Sequence, residues 1–377
     1  MFSLIKRLFT VRGALAPLLV FLLFAAVPAG GAEGFSILMT FAGDCTLGSE
    51  EWLKGTESAF DRYVERFGPS YPFENFMEYF AQDDLTVVNL ESVLYDLKDN
   101  RTAKNYNFRG PVSFAKILTE GSVEAAFLAN NHILDYGLPG YHSTVKALEE
   151  SGVAWFGSTS AGERSYIFEK NGVKVGLLGT FYSYWGRKPL DFNRTMEELW
   201  AAGCQVVVGV THDGIEYATR RNWRQEDMAR WYIRRGATLV VGHHPHLPQG
   251  MDLMGDASVL YSLGNFSFGG NKDLDISRRP GVRADRALVA RVELRFDAEK
   301  NYLGHQVTLV PVSPSGTAEF NDYRPVFLSG EEALDTLRRV QDDTPFPLSP
   351  YVEGVGAVQP FVPFRGSPSA NPAPAGK

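Results

Sequence analysis

Six apolar segments of strand length end in polar or charged side chains, and this pattern restricts the fold more than any other feature of the sequence. Most of these segments are continuous apolar runs, which is typical of strands buried on both faces of a sheet. The segments between several of them have the spacing of amphipathic helices. The sequence therefore predicts an α/β fold built in layers, with mixed sheets.

Individual elements can be placed from local signals. Asn222 and Gln225 form a capping-box pair at the start of a helix that Gly236 ends. A second helix is predicted over residues 139–151, and residues 287–296 and 306–312 alternate as an antiparallel strand pair. The apolar strands are predicted at residues 36–42, 85–90, 123–129, 173–179, 205–210, 238–241 and 258–263.

Length, charge and cysteine content exclude several classes of protein. The chain has 377 residues and a formal charge of −7, so it is long enough for a large core and is not a basic nucleic-acid binder. Only two cysteines are present, which excludes a disulfide scaffold or a zinc-ribbon array. We expect no nucleic-acid partner.

The first 32 residues have the features of a secretory signal peptide. Basic residues precede an apolar run over residues 14–27, and small residues follow it, so that cleavage after Ala32 is predicted. An uncleaved N-terminal anchor is the alternative. Both interpretations predict an exported protein that is periplasmic, or extracytoplasmic and attached to a membrane. Residues 33–341 form the predicted folded domain, and the Pro/Gly-rich residues 342–377 are predicted to be disordered or loosely draped.

The polar residues at the strand ends are of the types that bind divalent metals. In open α/β sheets the carboxyl ends of the strands meet at one edge, where ligands bind. Carboxylate, amide and imidazole groups together suit Mn, Fe or Zn, so we expect a divalent site of one or two ions. The candidate residues at these ends are Asp44, Glu91, Asn131, His132, His212, His243, His244, His246 and Asn265.

These residues stand in segments that resemble the CapA family of poly-γ-glutamate capsule synthesis proteins. That family is itself similar to the calcineurin-like metallophosphoesterases, and the resemblance implies a four-layer α/β/β/α sandwich with a one- or two-metal site. The matching segments are Gly43-Asp44, Asn89-Leu90-Glu91, Asn130-Asn131-His132, His212 with Gly214, Gly242-His243-His244-Pro245-His246 and Gly264-Asn265-Phe266.

The metallophosphoesterase pattern implies roles for single residues of this chain. Asp44 matches the first metal carboxylate, and Glu91 stands where a bridging Asp is usual. Asn131 and His132 resemble an Asn-His pair whose Asn binds metal and whose His acts as an acid. The resemblance also implies that His212, His244 and His246 are metal ligands. Thr46 stands where the pattern has a ligand His, and His243 is either a substitute ligand or a neighbour of the ligands.

Four further residues have two interpretations each. Asp135 either orients His132 for catalysis or caps the following helix. Arg109 either holds a substrate carboxylate or phosphate or is a surface residue. Glu216 either lies beside the site as a substrate-binding residue or is an exposed loop carboxylate. Asn265 binds either substrate or a strand-end turn.

The resemblance implies a role in the synthesis, export or anchoring of an anionic polymer such as poly-γ-glutamate. One alternative is a metal-dependent hydrolase of phosphoesters or γ-glutamyl amides, with His132 and Asp135 as catalytic residues. In another, the chain is a non-catalytic polymer-binding partner of a membrane-bound synthase. A fold that has lost its metal is the third.

Overall fold

The first long strand lies at the centre of one sheet, and its neighbours come from both halves of the chain. The computed structural model describes residues 34–157, 165–187, 189–275 and 282–366, so the predicted signal peptide falls outside the described residues. The strands are β1 (Phe35–Thr46), β2 (Leu85–Leu90), β3 (Val93–Leu94), β4 (Arg109–Gly110), β5 (Ala125–Phe127), β6 (Ala154–Phe156), β7 (Ser165–Lys170), β8 (Val173–Phe181), β9 (Val206–His212), β10 (Leu239–His243), β11 (Met251–Met254), β12 (Ala257–Leu260), β13 (Asn265–Phe268), β14 (Ala287–Phe296), β15 (Tyr302–Ser313), β16 (Val326–Phe327), β17 (Ala357–Val358) and β18 (Val362–Pro363).

The helices lie mostly between these strands. They are α1 (Phe60–Phe67), α2 (Met77–Phe80), α3 (Ala115–Glu120), α4 (Gly137–Glu150), α5 (Tyr182–Trp185), α6 (Pro189–Ala201), α7 (Trp223–Ile233) and α8 (Gly330–Gln341). Within the described ranges, no helix is long and apolar enough to cross a membrane.

Two mixed sheets form the centre of the molecule. The first has the order β16-β15-β14-β1-β2-β5-β6, with β13 also paired to the end of β1. Strands β2, β5, β6 and β13 run parallel to their neighbours, whereas β14 runs antiparallel to β1. The second sheet has the order β11-β12-β10-β9-β8-β7, with parallel central strands and antiparallel edges.

The alternation of side chains along the strands produces three apolar interfaces. One face of each sheet contributes to a shared core that includes Phe41, Val208 and Val241. The opposite face of the first sheet is covered by α1–α4, and that of the second by α6 and α7. These interfaces separate helix, sheet, sheet and helix layers. The predicted α/β/β/α four-layer sandwich with mixed sheets is confirmed.

The predicted capping box of α7 is present. Asn222 Oδ1 accepts hydrogen bonds from the backbone N–H groups of Arg224 and Gln225, at 2.9 and 3.2 Å, and Gln225 Oε1 accepts from the Asn222 N–H at 3.0 Å. These contacts satisfy N–H groups that the helix itself leaves unpaired.

Replacing Asn222 with Ala is therefore expected to lower the free energy of unfolding by about 1 kcal/mol. Urea denaturation followed by circular dichroism measures this change. Asn222→Asp is the matched control, because its carboxylate can accept the same hydrogen bonds. A loss in the Asp variant as large as that in the Ala variant would contradict the capping explanation.

The prediction of a disordered or loosely draped tail from residue 342 is wrong for residues 342–366. In this segment β17 and β18 pair with β15, and Phe346, Leu348, Tyr351 and Phe364 pack against the core between the sheets. Asp343 Oδ2 also accepts hydrogen bonds from the Arg221 and Gly250 N–H groups. The apolar residues of this segment contact the core one at a time and at irregular spacing. The sequence therefore shows no helix or strand periodicity there. Residues 367–377 lie outside the described part of the chain.

Candidate metal centre

The predicted metal residues meet where strands of the two sheets end. The β1 residue Asp44 is in register with Asn89 of β2 and with Asn265 of β13. In the second sheet His212 of β9 is in register with His243 of β10. Glu91 directly follows β2. In each sheet the parallel strands therefore carry their candidate metal ligands at their carboxyl ends.

Two overlapping groups of side chains have the spacing of a metal site. The Asp44 site consists of Asp44, Glu91 and His246, and within it one ligand atom from each residue lies within 4.8 Å of the others. Glu91, His212 and His244 satisfy the same criterion. Asn131 Oδ1 lies 2.7 Å from His212 Nε2, so Asn131 joins this second group, the His212 site. Glu91 belongs to both sites.

Glu91 is the side chain that most clearly requires a cation. It is fully buried, and neither carboxylate oxygen has a hydrogen-bond partner among the described residues. Burial, together with the nearby Asp44 carboxylate, raises the pKa of Glu91 well above its usual value. His212 Nε2 lies 3.4 Å from Glu91 Oε1 without donating a hydrogen bond to it. A buried carboxylate that accepts no hydrogen bond costs free energy that a bound divalent ion removes. The donor set therefore fits a metal.

Asp44 is also buried, but it has partners within the protein. Its Oδ1 accepts a hydrogen bond from Asn89 Nδ2 at 2.8 Å and lies 3.2 Å from His243 Nδ1, and its Oδ2 lies 3.1 Å from His246 Nδ1. Burial alone would raise the pKa of Asp44, yet the imidazoles of His243 and His246 hold it well below its usual range. Asp44 is thus an anion in the folded chain.

The loop that carries His244 and His246 has an unusual backbone. Their φ angles are 100° and 60°, in the left-handed region that residues with a Cβ seldom adopt. Such conformations cost about 1–3 kcal/mol each and are concentrated at functional sites. The predicted substrate residue Asn265 contacts this loop, because its Oδ1 lies 3.0 Å from His246 Nδ1. In this structure Asn265 therefore orients a metal-site imidazole.

His212 is held in the neutral form that a metal ligand needs. Its ring is fully buried, and its centroid lies 4.6 Å from that of His244. Burial, strengthened by the neighbouring imidazole of His244, lowers the pKa of His212 well below its usual value. A neutral imidazole keeps a lone pair for a metal ion.

His132 and Asp135 form a hydrogen-bonded pair beside the metal residues. His132 Nδ1 lies 2.7 Å from Asp135 Oδ2, which also accepts a hydrogen bond from the Phe108 N–H at 2.7 Å. Burial lowers the pKa of His132, although Asp135 opposes this effect. Asp135 does not cap α4, since the N-cap position is Tyr136 and no side chain caps it. The structure places Asp135 where it orients His132.

Lys104 fixes this pair from the other side. Its ammonium group donates to Asp135 Oδ1 and, at 2.6 Å, to the backbone carbonyl of Asn131. Lys104 therefore links the loop that carries Asn131 to the His132–Asp135 pair. Nothing in the sequence distinguishes Lys104 from the other exposed lysines.

Replacing Lys104 with Met is expected to destabilise the folded chain, because it removes the charged partner of the fully buried Asp135. The Lys104 side chain is 37% exposed, so solvent screening limits the expected loss to about 1 kcal/mol. Urea denaturation measures the loss. Lys104→Arg keeps the charge and is the matched control, and equal losses in both variants would contradict the charge-pair explanation.

Arg109 is buried in an ion pair in this structure. Its Nε donates to Glu51 Oε1 at 2.8 Å and its Nη1 to the Tyr95 carbonyl at 2.7 Å. Glu51 in turn has its pKa lowered, because the Arg109 contact outweighs the opposing effect of burial. Substrate binding by Arg109 stays a prediction, and it requires this ion pair to open.

Glu216 is half-buried, and its charge acts on the metal residues. It contributes to the raised pKa of Glu91 and favours the protonated forms of His244 and His246. The structure therefore places Glu216 beside the candidate centre. Its role in substrate binding stays a prediction.

Two buried asparagines of the site were not among the predicted site residues. Asn89 Nδ2 donates to Asp44 Oδ1, and Asn89 Oδ1 accepts from Asn130 Nδ2 at 3.0 Å. Asn130 Oδ1 also accepts from the His132 and Ile133 N–H groups, both at 3.0 Å. Both residues stand at strand ends, and that position was the available signal. They position the ligands through hydrogen bonds.

The remaining ambiguous residues have structural partners. Thr46 directs its hydroxyl to the Glu91 carbonyl at 3.4 Å, and His243 contacts Asp44 and is not part of either three-residue group. In this structure His243 is therefore a neighbour of the ligands. Cys45 and Cys204 are both buried and free.

Comparison with known sequences gives matches to proteins named for capsule or PGA synthesis. The profile of the bacterial capsule synthesis protein PGA_cap family matches residues 38–270, well over half of the chain. The capsule biosynthesis protein CapA of Bacillus anthracis is 29% identical over 269 residues, 65% of this chain and 62% of that protein. The PGA biosynthesis protein CapA of Bacillus subtilis strain 168 is 27% identical, over 67% of this chain and 70% of that protein.

Similarity to solved structures is lower. A hypothetical protein from Thermus thermophilus aligns with a TM-score of 0.43 at 16% identity, covering 73% of this chain and 99% of that one. A putative 5'-nucleotidase from Staphylococcus aureus aligns with a TM-score of 0.42 at 12% identity, covering 82% of this chain and 58% of that one.

Proposed function

Because the chain belongs to the bacterial capsule synthesis protein PGA_cap family, we propose that it acts in the synthesis, export or anchoring of an anionic capsular polymer such as poly-γ-glutamate. The names of the two Bacillus relatives, one for capsule biosynthesis and one for PGA biosynthesis, support this assignment. The chain spans less than two thirds of the Bacillus anthracis relative, so the polymer and the partners of that protein are carried over only as part of the proposal.

The observation that carries the proposed chemistry is Glu91, a buried carboxylate without a hydrogen-bond partner among the described residues and shared by the two metal-ligand groups. Asp44, Glu91 and His246 would hold one ion, and Glu91, Asn131, His212 and His244 another. Carboxylate, amide and imidazole donors suit Mn, Fe or Zn. A bound ion of this kind lowers the pKa of water to about 7 and polarises a phosphoryl or carbonyl oxygen.

The chain's own residues supply the proton chemistry. Asp135 accepts a hydrogen bond from Nδ1–H of His132, so Nε2 of that ring is the nitrogen that takes a proton from the attacking water and then gives it to a leaving oxygen or nitrogen. Lys104 and the Phe108 N–H hold the Asp135 carboxylate in place and so limit rotation of the imidazole. Asn89 and His243 hold Asp44 in the same way.

The His132–Asp135 pair favours a second candidate function, a metal-dependent hydrolase of a cell-envelope phosphoester or γ-glutamyl amide. A protein that only bound polymer would gain nothing from an imidazole fixed for proton transfer. The two functions are compatible if hydrolysis trims the polymer, or if the same site cleaves the polymer with an acceptor group in place of water and so transfers it to that acceptor.

Turnover and binding assays separate these functions. The metal-loaded chain would be incubated with bis(p-nitrophenyl) phosphate, γ-glutamyl peptides and poly-γ-glutamate, and polymer binding would be measured at low and high salt. Metal-dependent cleavage supports the hydrolase, whereas salt-sensitive binding of poly-γ-glutamate without cleavage supports a polymer-binding role. Neither cleavage nor binding of any of the three would contradict both.

The proposal includes a cellular location and a partner. The N-terminal pattern supports export, to the periplasm or to the outer side of a membrane, where a capsular polymer is handled. A membrane-bound polymer synthase is the proposed partner. Co-purification of the chain with membranes, with and without residues 1–32, tests the attachment.

A further inference from the structure

We propose that the centre loads its two metal ions in a fixed order, with the His212 site filled first and tightly and the Asp44 site filled second and weakly. This inference rests on the proposed metal-dependent function. It assigns different metal preferences to two sites that share Glu91.

The two donor sets differ in chemistry. The His212 site combines two imidazoles with the Asn131 amide oxygen and the Glu91 carboxylate, whereas the Asp44 site has one imidazole and two carboxylates. Imidazole nitrogen favours Zn and other late transition metals, and carboxylate oxygen favours Mn and Mg. The His212 site therefore selects an ion such as Zn, and the Asp44 site suits a harder ion such as Mn.

The two sites also differ in what an ion must displace. In the Asp44 site, Oδ1 of Asp44 contacts Asn89 and His243, and Oδ2 contacts His246 at 3.1 Å. His246 Nδ1 additionally contacts Asn265 Oδ1 at 3.0 Å. An ion in this site competes with these contacts, which already give both oxygens of Asp44 a partner.

Among the ligand residues, one buried atom without a hydrogen-bond partner belongs to the His212 site alone, and two belong to Glu91, which both sites share. Within the described ranges, the two Glu91 oxygens and Nδ1 of His244 are buried without a hydrogen-bond partner. An ion there replaces the contacts of His212 Nε2 with Asn131 Oδ1 at 2.7 Å and with Glu91 Oε1 at 3.4 Å, all three residues being its own ligands. Once Glu91 is bound to the first ion, the second ion meets both a shared carboxylate and the positive charge of the first.

Titration of the metal-stripped full chain with Zn²⁺, and separately with Mn²⁺, tests the order. Calorimetry measures the binding steps, and elemental analysis after gel filtration measures the ions retained. We expect two Zn²⁺ steps whose dissociation constants differ by about tenfold or more, with about one equivalent retained. With Mn²⁺ the difference between the steps should shrink, because the carboxylate-rich site gains relative to the other.

Variants assign the steps to the sites. His246→Ala should leave the tight Zn²⁺ step and remove the weak one, whereas His212→Ala should weaken the tight step by about 100-fold or more. Asn131→Ala provides a second test of the His212 site if His212→Ala does not fold. His142→Ala, a change on helix α4, is the matched imidazole control and should leave both steps unchanged.

The possible results are distinguishable. Two equal Zn²⁺ steps, or loss of the tight step in His246→Ala, would overturn the loading order while leaving the metal-dependent function intact. Binding of neither ion to the wild-type chain would overturn the loading order and the metal-dependent function together. Retention of one tight ion that only His212→Ala or Asn131→Ala weakens supports the inference.

Discussion

Glu91→Gln is expected to abolish metal binding at both sites and, at the same time, to stabilise the metal-free chain. The carboxylate belongs to both ligand groups, so its loss removes a charged ligand from each ion. In the metal-free chain that carboxylate is buried without a hydrogen-bond partner among the described residues, and a neutral amide of the same shape costs less to bury. We expect the free energy of unfolding to rise by about 1–3 kcal/mol at neutral pH.

The pH dependence of this gain has a defined sign. Because the pKa of Glu91 is raised above its usual value of 4.5, the folded metal-free chain holds the proton more tightly than the unfolded chain. The Glu91 contribution to stability is therefore lost as the pH rises from about 4.5 through the raised pKa. The advantage of the Gln variant should grow over the same range.

Urea denaturation at several pH values, with and without Zn²⁺, measures both effects. The wild-type chain should be stabilised by Zn²⁺, and the Gln variant should not respond to it. Glu216→Gln is the matched control, since Glu216 influences the same residues but belongs to neither ligand group. A Gln variant that is less stable than the metal-free wild type, or still stabilised by Zn²⁺, would contradict the assigned role of Glu91.

His132→Ala is expected to remove turnover while metal content stays unchanged. His132 is bound to Asp135 and is in neither ligand group, so its loss removes a proton donor and no metal ligand. The expected fall in turnover, for whichever phosphodiester or γ-glutamyl peptide the wild type cleaves, is about 10²- to 10⁴-fold. Elemental analysis and initial rates on the same preparations measure the two quantities.

Asp135→Asn is an informative companion variant. The amide keeps the shape of the side chain but weakens its hydrogen bond to His132 Nδ1, so a smaller fall in turnover is expected. Wild-type turnover in His132→Ala would show that another group transfers the proton. Loss of metal from His132→Ala would instead show that the imidazole supports the ligands.

Much of the fold followed from hydrophobic pattern and capping chemistry. The antiparallel pair β14–β15, the helix begun by Asn222 and the buried strands β2, β8 and β9 all lie where apolar runs and turn signals predict them. Strand ends were less accurate: residues 123–129 read as one strand, but β5 covers only Ala125–Phe127. The last apolar residues of that run leave the ladder to form the loop that carries Asn130 and His132.

The centre was predictable because the carboxyl ends of parallel strands lie at one edge of a sheet, and because the residues at those ends stand in segments that resemble the CapA family. Asp44, Glu91, His212, His244 and His246 all fall within the two ligand groups. The partners of these residues were harder to predict, since a hydrogen bond such as that from Asn89 to Asp44 depends on the register between strands. The ion pair of Arg109 with Glu51 depends on how the loops pack, and the periodicity of apolar residues in the sequence does not predict loop packing.

The position of β1 in its sheet has a consequence for when the chain can fold. β1 pairs with β2 on one side and with β14 on the other, and Phe35 is in register with Phe296. The first sheet therefore cannot close until about 260 further residues have been synthesised, and contacts so distant in sequence form slowly. A nascent chain with this topology lacks the antiparallel half of its first sheet until β14 has been made. If the chain is exported as proposed, we expect this delay to favour its threading through a translocation pore.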